Sequence, residues 1–157
     1  MPDPFTTIPT VLKWTSKICS PLLRFYYTSQ KLDPFLLLDI PSTGDAVSYY
    51  FSSQEARCYL TATNLSPFDF TVDRINLEVV IDGGSFSCAS TMPFLIKGSS
   101  RGQIFAQSKS PMTSDIWNFA KNSKQASVNI DAYIVTSIRS FQIRRYITDL
   151  KNIRVIA

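Results

Sequence analysis

Apolar and polar residues alternate along most of this chain, and the longest such run is Phe70–Ile81. Phe70, Val72, Ile75, Leu77, Val79 and Ile81 carry its apolar positions, with a spacing of two broken once by a step of three between Val72 and Ile75. A spacing of two puts these side chains on one face of a strand, and the slip predicts a bulge or bend near Asp73 and Arg74. Upstream, Ala56–Thr63 has the same alternation and joins the long strand through Asn64-Leu65-Ser66-Pro67-Phe68. Pro67 fixes its own φ and biases Ser66 toward extended backbone, while the Asn64 side chain can bond the backbone of its own turn. Asp82-Gly83-Gly84 ends the long strand, and Gly83 and Gly84 are expected to supply the positive φ of a tight hairpin.

The same pattern predicts further strands at Phe35–Ile40, Val47–Phe51, Ser85–Ser90, Phe94–Ile96, Arg101–Gln107, Ala126–Thr136, Phe141–Thr148 and Ile153–Ile156. Thr113 or Ser114 with Asp115 opens a short helix expected to bury Ile116, Phe119 and Ala120 and to end near Asn122. Phe141, Ile143 and Tyr146 fit one buried face if a bulge separates the last two.

Residues 8–29 have a helical period instead. Ile8, Val11 or Leu12, Trp14, Ile18 and Leu22 recur at steps of three or four, with Lys13 and Lys17 on the other side. Ser20-Pro21 is a break and a fresh start, so two short helices are expected. Leu22, Leu23, Phe25, Tyr26 and Tyr27, with Arg24 among them, make the second half apolar and aromatic. Such a segment either caps an open end of a sandwich or lies in a membrane interface. The expected architecture is all-β: an immunoglobulin-like two-sheet β-sandwich of seven or eight strands over residues 35–157, preceded by a helical extension over residues 1–34 and carrying one short helix.

The strand, the turn at Asn64, Ser66, Pro67 and Phe68, the long strand and the hairpin at Gly83 and Gly84 resemble the core of the late-embryogenesis-abundant group 2 proteins, the water-stress-and-hypersensitive-response (WHy) domain. The resemblance runs from Ala56 to Ile156 and includes Ile96-Lys97-Gly98-Ser99-Ser100, which is similar to the family's Ile-x-x-Gly-Ser segment. Asn64-Leu65-Ser66-Pro67 departs from the family's Asn-Pro-Asn, with the proline shifted. The resemblance implies a non-enzymatic, stress-associated binding or protective protein without a cofactor. A peripheral lipid-binding or membrane-tethering module is the first alternative, with Lys13, Trp14, Lys17, Arg24, Phe25, Tyr26 and Tyr27 as the contact residues. A protein–protein adaptor is the second.

Composition narrows the chemistry. The 157 residues are 45% hydrophobic and 18% charged, with a net charge of +4 and no histidine. The positive charge gathers at the ends: Lys13, Lys17, Arg24 and Lys31 near the start, and Arg139, Arg144, Arg145, Lys151 and Arg154 near the finish. An anionic partner would therefore meet the ends. Without histidine there is no Ser-His-Asp or Cys-His pair, and three scattered cysteines fall short of a zinc site. No glycine-rich loop precedes a helix to cradle phosphate. Asp69 and Asp73 flank the turn, where Arg74 offers a surface ion pair rather than an acid–base partnership. We therefore expect no catalytic, cofactor or metal residues, no small-molecule substrate and no specific nucleic-acid partner; the expected partner is a membrane surface or a protein. Cys58 shares a face with Ala56, Leu60 and Ala62 and reads as a small hydrophobe, with a Cys58–Cys88 bridge as the alternative. No apolar run reaches the length of a membrane span and Met1-Pro2-Asp3-Pro4 lacks a basic leader, so a cytoplasmic chain is expected, either soluble or peripherally associated with a membrane.

Overall fold

A computed structural model describes residues 21–41, 44–50, 52–82, 84–108, 111, 113–122, 125–150 and 153–156. The fold is all-β. Residues 21–26 form α1, followed by α2 (Ser29–Leu32) and a 3-10 turn at Asp33–Phe35. The strands are β1 (Leu36–Asp39), β2 (Val47–Tyr50), β3 (Glu55–Asn64), β4 (Phe70–Ile81), β5 (Gly84–Ser90), β6 (Phe94–Ile96), β7 (Ser100–Ser108), β8 (Ala126–Thr136), β9 (Ser140–Leu150) and β10 (Ile153–Ile156), with α3 (Ser114–Asn122) between β7 and β8.

Eight strands lie on one hydrogen-bonded path, β10-β2-β3-β7-β5-β4-β8-β9, with β1 added beside β3 and β6 beside β4. The path has a weak link. Among the described residues, only Cys88↔Ser108 and Ala89↔Gln107 pair β5 with β7, whereas β3 and β7 pair from Arg57↔Gln107 to Asn64↔Ser100. There the sheet folds over into two layers. Phe86 of β5 meets Tyr49 of β2 edge to face with ring centroids 5.7 Å apart, and the Cys88 thiol lies 3.8 Å from the Ala56 carbonyl of β3. All pairings are antiparallel except β10 with β2.

The alternation of β4 produces the core directly. Phe70, Val72, Ile75, Leu77, Val79 and Ile81 are all buried in one cluster with Leu36, Val47, Leu60, Ile96, Val128, Ile130, Ile134 and Ile143. The three-residue step is a β-bulge: Val72 pairs with Ile134 and Arg74 with Tyr133, leaving Asp73 as the extra residue. That extra residue keeps Ile75 on the inner face.

Two expectations are corrected. Gly84 does not adopt a positive φ; it is the first residue of β5, paired with Ile81, and lies against Ile116 of α3. Tyr146 is not buried beside Phe141 and Ile143 but 62% exposed. β9 keeps its phase through Ile147, which packs on the core, and its register shift comes later, opposite Ala126–Val128. The positions of Lys13, Trp14, Lys17, Cys19 and Gly83, and the side chains of Phe119 and Ala120, lie outside the described residues.

Candidate functional site

The turn after β3 is built around a buried amide. Asn64 is fully buried at the last position of β3, and its Nδ2 donates to the Phe68 carbonyl at 2.7 Å and to those of Ile96 and Lys97 at 3.2 Å each. Its Oδ1 accepts from the Ser66 backbone N–H at 3.0 Å and the Ser66 hydroxyl at 2.7 Å. Ser66, also fully buried, accepts the Phe68 N–H on its Oγ. One side chain thus satisfies backbone groups of its own turn and of a segment more than thirty residues later. Buried polar groups left unpaired are costly, so this corner has few alternatives.

The Ile96–Ser100 segment closes against the same turn. The Ser99 N–H donates to the Ser66 carbonyl at 2.8 Å, and Ser99 itself has φ +55°, a left-handed conformation that a non-glycine residue holds only when its surroundings fix it. Gly98 lies so close to Pro67 that a Cβ there would come within 2.5 Å of the Pro67 carbonyl oxygen. Asp69 accepts the Gly98 N–H at 2.9 Å. The two segments that carry the family resemblance therefore meet as one hydrogen-bonded corner. Asp69 was assigned above only to a possible ion pair with Arg74; its carboxylate instead caps this loop, while the Arg74 guanidinium stacks 5.1 Å from the Tyr133 ring.

The described part of the N-terminal segment packs on this end of the sandwich. Tyr27 meets Phe68 edge to face at 5.2 Å, and Leu32 is fully buried. The Arg24 Nε donates to the Ile138 carbonyl at 3.0 Å, the Arg139 guanidinium returns a bond to the Arg24 carbonyl, and Arg145 pairs with Asp33 at 2.5 Å. Phe25 and Tyr26 point away and are 88% and 62% exposed. Of the contact residues expected from sequence, Tyr27 lies against Phe68 of the family turn, Arg24 is bonded to the Ile138 carbonyl, and Phe25 and Tyr26 are left outward.

The outer faces of the two layers differ. Tyr59 and Phe105, direct partners on β3 and β7, stack at 5.5 Å, and the Arg57 guanidinium lies 4.3 Å from the Tyr50 ring. This aromatic cluster was not singled out from sequence. Its signal was there, because Tyr59 and Phe105 fall on the polar phase of their strands. Across the other layer runs an open groove of about 440 Å³ lined by Asn76, Glu78, Ser87, Asn129, Asp131, Arg144 and Tyr146. Its carboxylates are already engaged: Glu78 accepts from Asn129 and Asp131 from Gln142. Among the described residues, no three His, Cys, Asp or Glu side chains converge to hold a metal ion, and no helix is long and apolar enough to cross a membrane.

Cys58 and Cys88 are both buried free thiols. Burial pushes both up in pKa, Cys88 to about 12. A thiol whose folded pKa is raised leaves stability intact below its unfolded value and drains it as pH climbs toward the folded one, for Cys88 between 9.0 and about 12. Both should therefore resist a thiol reagent at pH 8. In a Cys19→Ser background, reagent uptake is expected only after denaturation; rapid uptake by the folded protein would contradict the burial of both.

No family model matches this chain, and no curated protein matches it. Among solved structures, a protein described as late embryogenesis abundant (LEA) superposes with a TM-score of 0.41 at 13% identity over 91% of this chain and 91% of its own. The structural-genomics target SoR45 gives a TM-score of 0.47 at 9% identity over 74% of this chain and 84% of its own. The ligand-binding region of serine-glutamate repeat protein A of Enterococcus faecium gives 0.39 at 9% identity over 78% and 97%. At these values none of the three supports a functional assignment.

Proposed function

We propose that this chain is a non-catalytic binding and protective protein of the WHy kind, which shields other macromolecules under stress through the surface of a rigid sandwich. The observation that supports it is the Asn64 corner, where the turn and the Ile96–Ser100 segment, the two stretches that resemble that family, are held together by one amide. Its groups are spent on each other rather than directed at a substrate. The outer positions of β4, β5 and β8 (Asn76, Glu78, Ser87, Asn129) offer a polar surface, its one carboxylate bonded to Asn129, of the sort that can contact a client without capturing it. The test is recovery of a freeze-labile or heat-labile enzyme, such as lactate dehydrogenase, in the presence of the purified protein. Recovery above that given by an equal mass of serum albumin is expected. Recovery no better than albumin's would remove the proposal.

A further inference from the structure

The two faces of α1 have different surroundings. Leu23 and Tyr27, four residues apart, turn toward the sandwich and are half-buried, which fits the period of a helix. Leu22, Phe25 and Tyr26 form the opposite stripe and are 71%, 88% and 62% exposed. Large apolar side chains this open, grouped within five residues, are uncommon on a chain that meets only water. The same end adds Leu65, 54% exposed, at the turn whose N–H bonds to the Phe35 carbonyl.

Cations surround the stripe. The Lys31 ammonium sits 4.1 Å from the centre of the Tyr26 ring. Lys97 is exposed on the loop beside Pro67, while Arg24 turns back to the Ile138 carbonyl and its own carbonyl accepts from Arg139. Of the carboxylates at this end, Asp33 is neutralised by Arg145 and Asp69 is tied to the Gly98 N–H. The result is an outward apolar stripe within a basic rim.

We propose that this end of the sandwich, α1 with the Leu65 turn and the Lys97 loop, docks on an anionic lipid surface. Phe25, Leu22 and Tyr26 enter the interfacial layer while Lys31 and Lys97 meet the headgroup charge. Charge selects the occupant. A second copy seated stripe to stripe would bring the Lys31 ammoniums of both chains together, whereas an anionic bilayer complements them. A convex helical stripe also needs a surface that deforms around it, which lipid supplies. The inference names a partner for the protective protein proposed above and rests on that proposal for its biological setting only.

The test is co-sedimentation of the full-length protein with phosphatidylcholine vesicles containing about a third phosphatidylserine. Binding is expected, and it should fade as salt approaches about 1 M, where screening shortens to about 3 Å. Phe25→Ser should weaken it by about tenfold, the scale set by withdrawing one large aromatic from an apolar phase. Phe105→Ser, on the outer face of β7, is the control and should leave it unchanged. Equal losses in the two variants, equal binding to vesicles of phosphatidylcholine alone, or no sedimentation at all would each overturn the proposal. So would a concentration-dependent dimer, seen by light scattering, that Phe25→Ser dissolves without any vesicle binding. Client recovery by the wild-type protein in lipid-free solution separates the two readings. Recovery without vesicle binding removes only this inference, and vesicle binding without recovery removes only the proposed protective function.

Discussion

Asn64→Ala is expected to lower the stability of this domain by roughly 3–5 kcal/mol, because it removes several hydrogen bonds from one buried corner at once. The Ile96 carbonyl and the Ser66 N–H lose their partner in the amide, while the Phe68 and Lys97 carbonyls lose one of two donors and keep the hydroxyls of Ser66 and Ser100. Each such loss alone costs about 1–3 kcal/mol, and water entering the vacated space recovers part of it. Against a total stability of about 5–15 kcal/mol, the shift in urea midpoint should be among the largest of any single substitution. Asn64→Asp sharpens the prediction. A carboxylate keeps the acceptor for Ser66 but points oxygen at three carbonyls, so the charged form is disfavoured and the folded-state pKa of the introduced group is raised. Its penalty is then present at neutral pH and relieved as pH falls through that raised value, where the protonated acid can donate one bond. Urea midpoints measured from pH 7 to pH 4.5 should converge toward wild type. A penalty independent of pH, or a midpoint hardly moved in either variant, would show that the amide is not the centre of this corner.

That corner also shows how far sequence carries. The local half is legible: Asn64 bonding its own turn follows from the Asx chemistry of Asn before Ser-Pro, and the extended Ser66 follows from Pro67. The distant half is not, because nothing in the spacing of residues 64 and 96 says that one amide will reach both. Only the sheet, by pairing β4 with β6 and β3 with β7, delivers the Ile96 and Lys97 carbonyls to Asn64. The bulge at Asp73 is legible for the opposite reason. It is a matter of phase, and a strand with one buried face cannot hide a slip of one residue. Tyr146 marks the limit of that logic. An aromatic residue three positions after Ile143 could be taken inward by a bulge, but Ile147 takes that place and Tyr146 is left on the groove.

The N-terminal segment was legible as amphipathic, but not in the way the two alternatives framed it. Capping and membrane contact were set against each other as uses of one stripe. The described residues place Leu23 and Tyr27 inward and Leu22, Phe25 and Tyr26 outward, so the two uses need not compete for one face. Sequence could not divide them, since five of the six residues from Leu22 to Tyr27 are apolar or aromatic and any helical phase fits. The bond from Arg24 to the Ile138 carbonyl sets the phase, and it depends on a turn more than a hundred residues away.

Phe70→Ala is expected to cost roughly 3–5 kcal/mol, the range for emptying a large aromatic site in a core. Phe70 is fully buried where β4 is paired on both edges, with Ile96 of β6 on one side and Thr136 of β8 on the other. Its ring meets that of Phe141 edge to face, with centroids 6.0 Å apart. Strands paired on both sides cannot close easily over the missing ring, so most of the cavity should persist. Two comparisons isolate the cause. Phe105→Ala removes the same side chain from a site that is 42% exposed, and should cost well under half as much, since much of that ring already meets water. A double-mutant cycle of Phe70→Ala with Phe141→Ala should return a coupling of about 0.5–1.5 kcal/mol, the worth of an edge-to-face pair beyond its buried area. Urea denaturation followed by circular dichroism gives all of these from midpoints at constant slope. Equal losses for Phe70→Ala and Phe105→Ala would mean that the inner and outer faces of the sandwich have been exchanged.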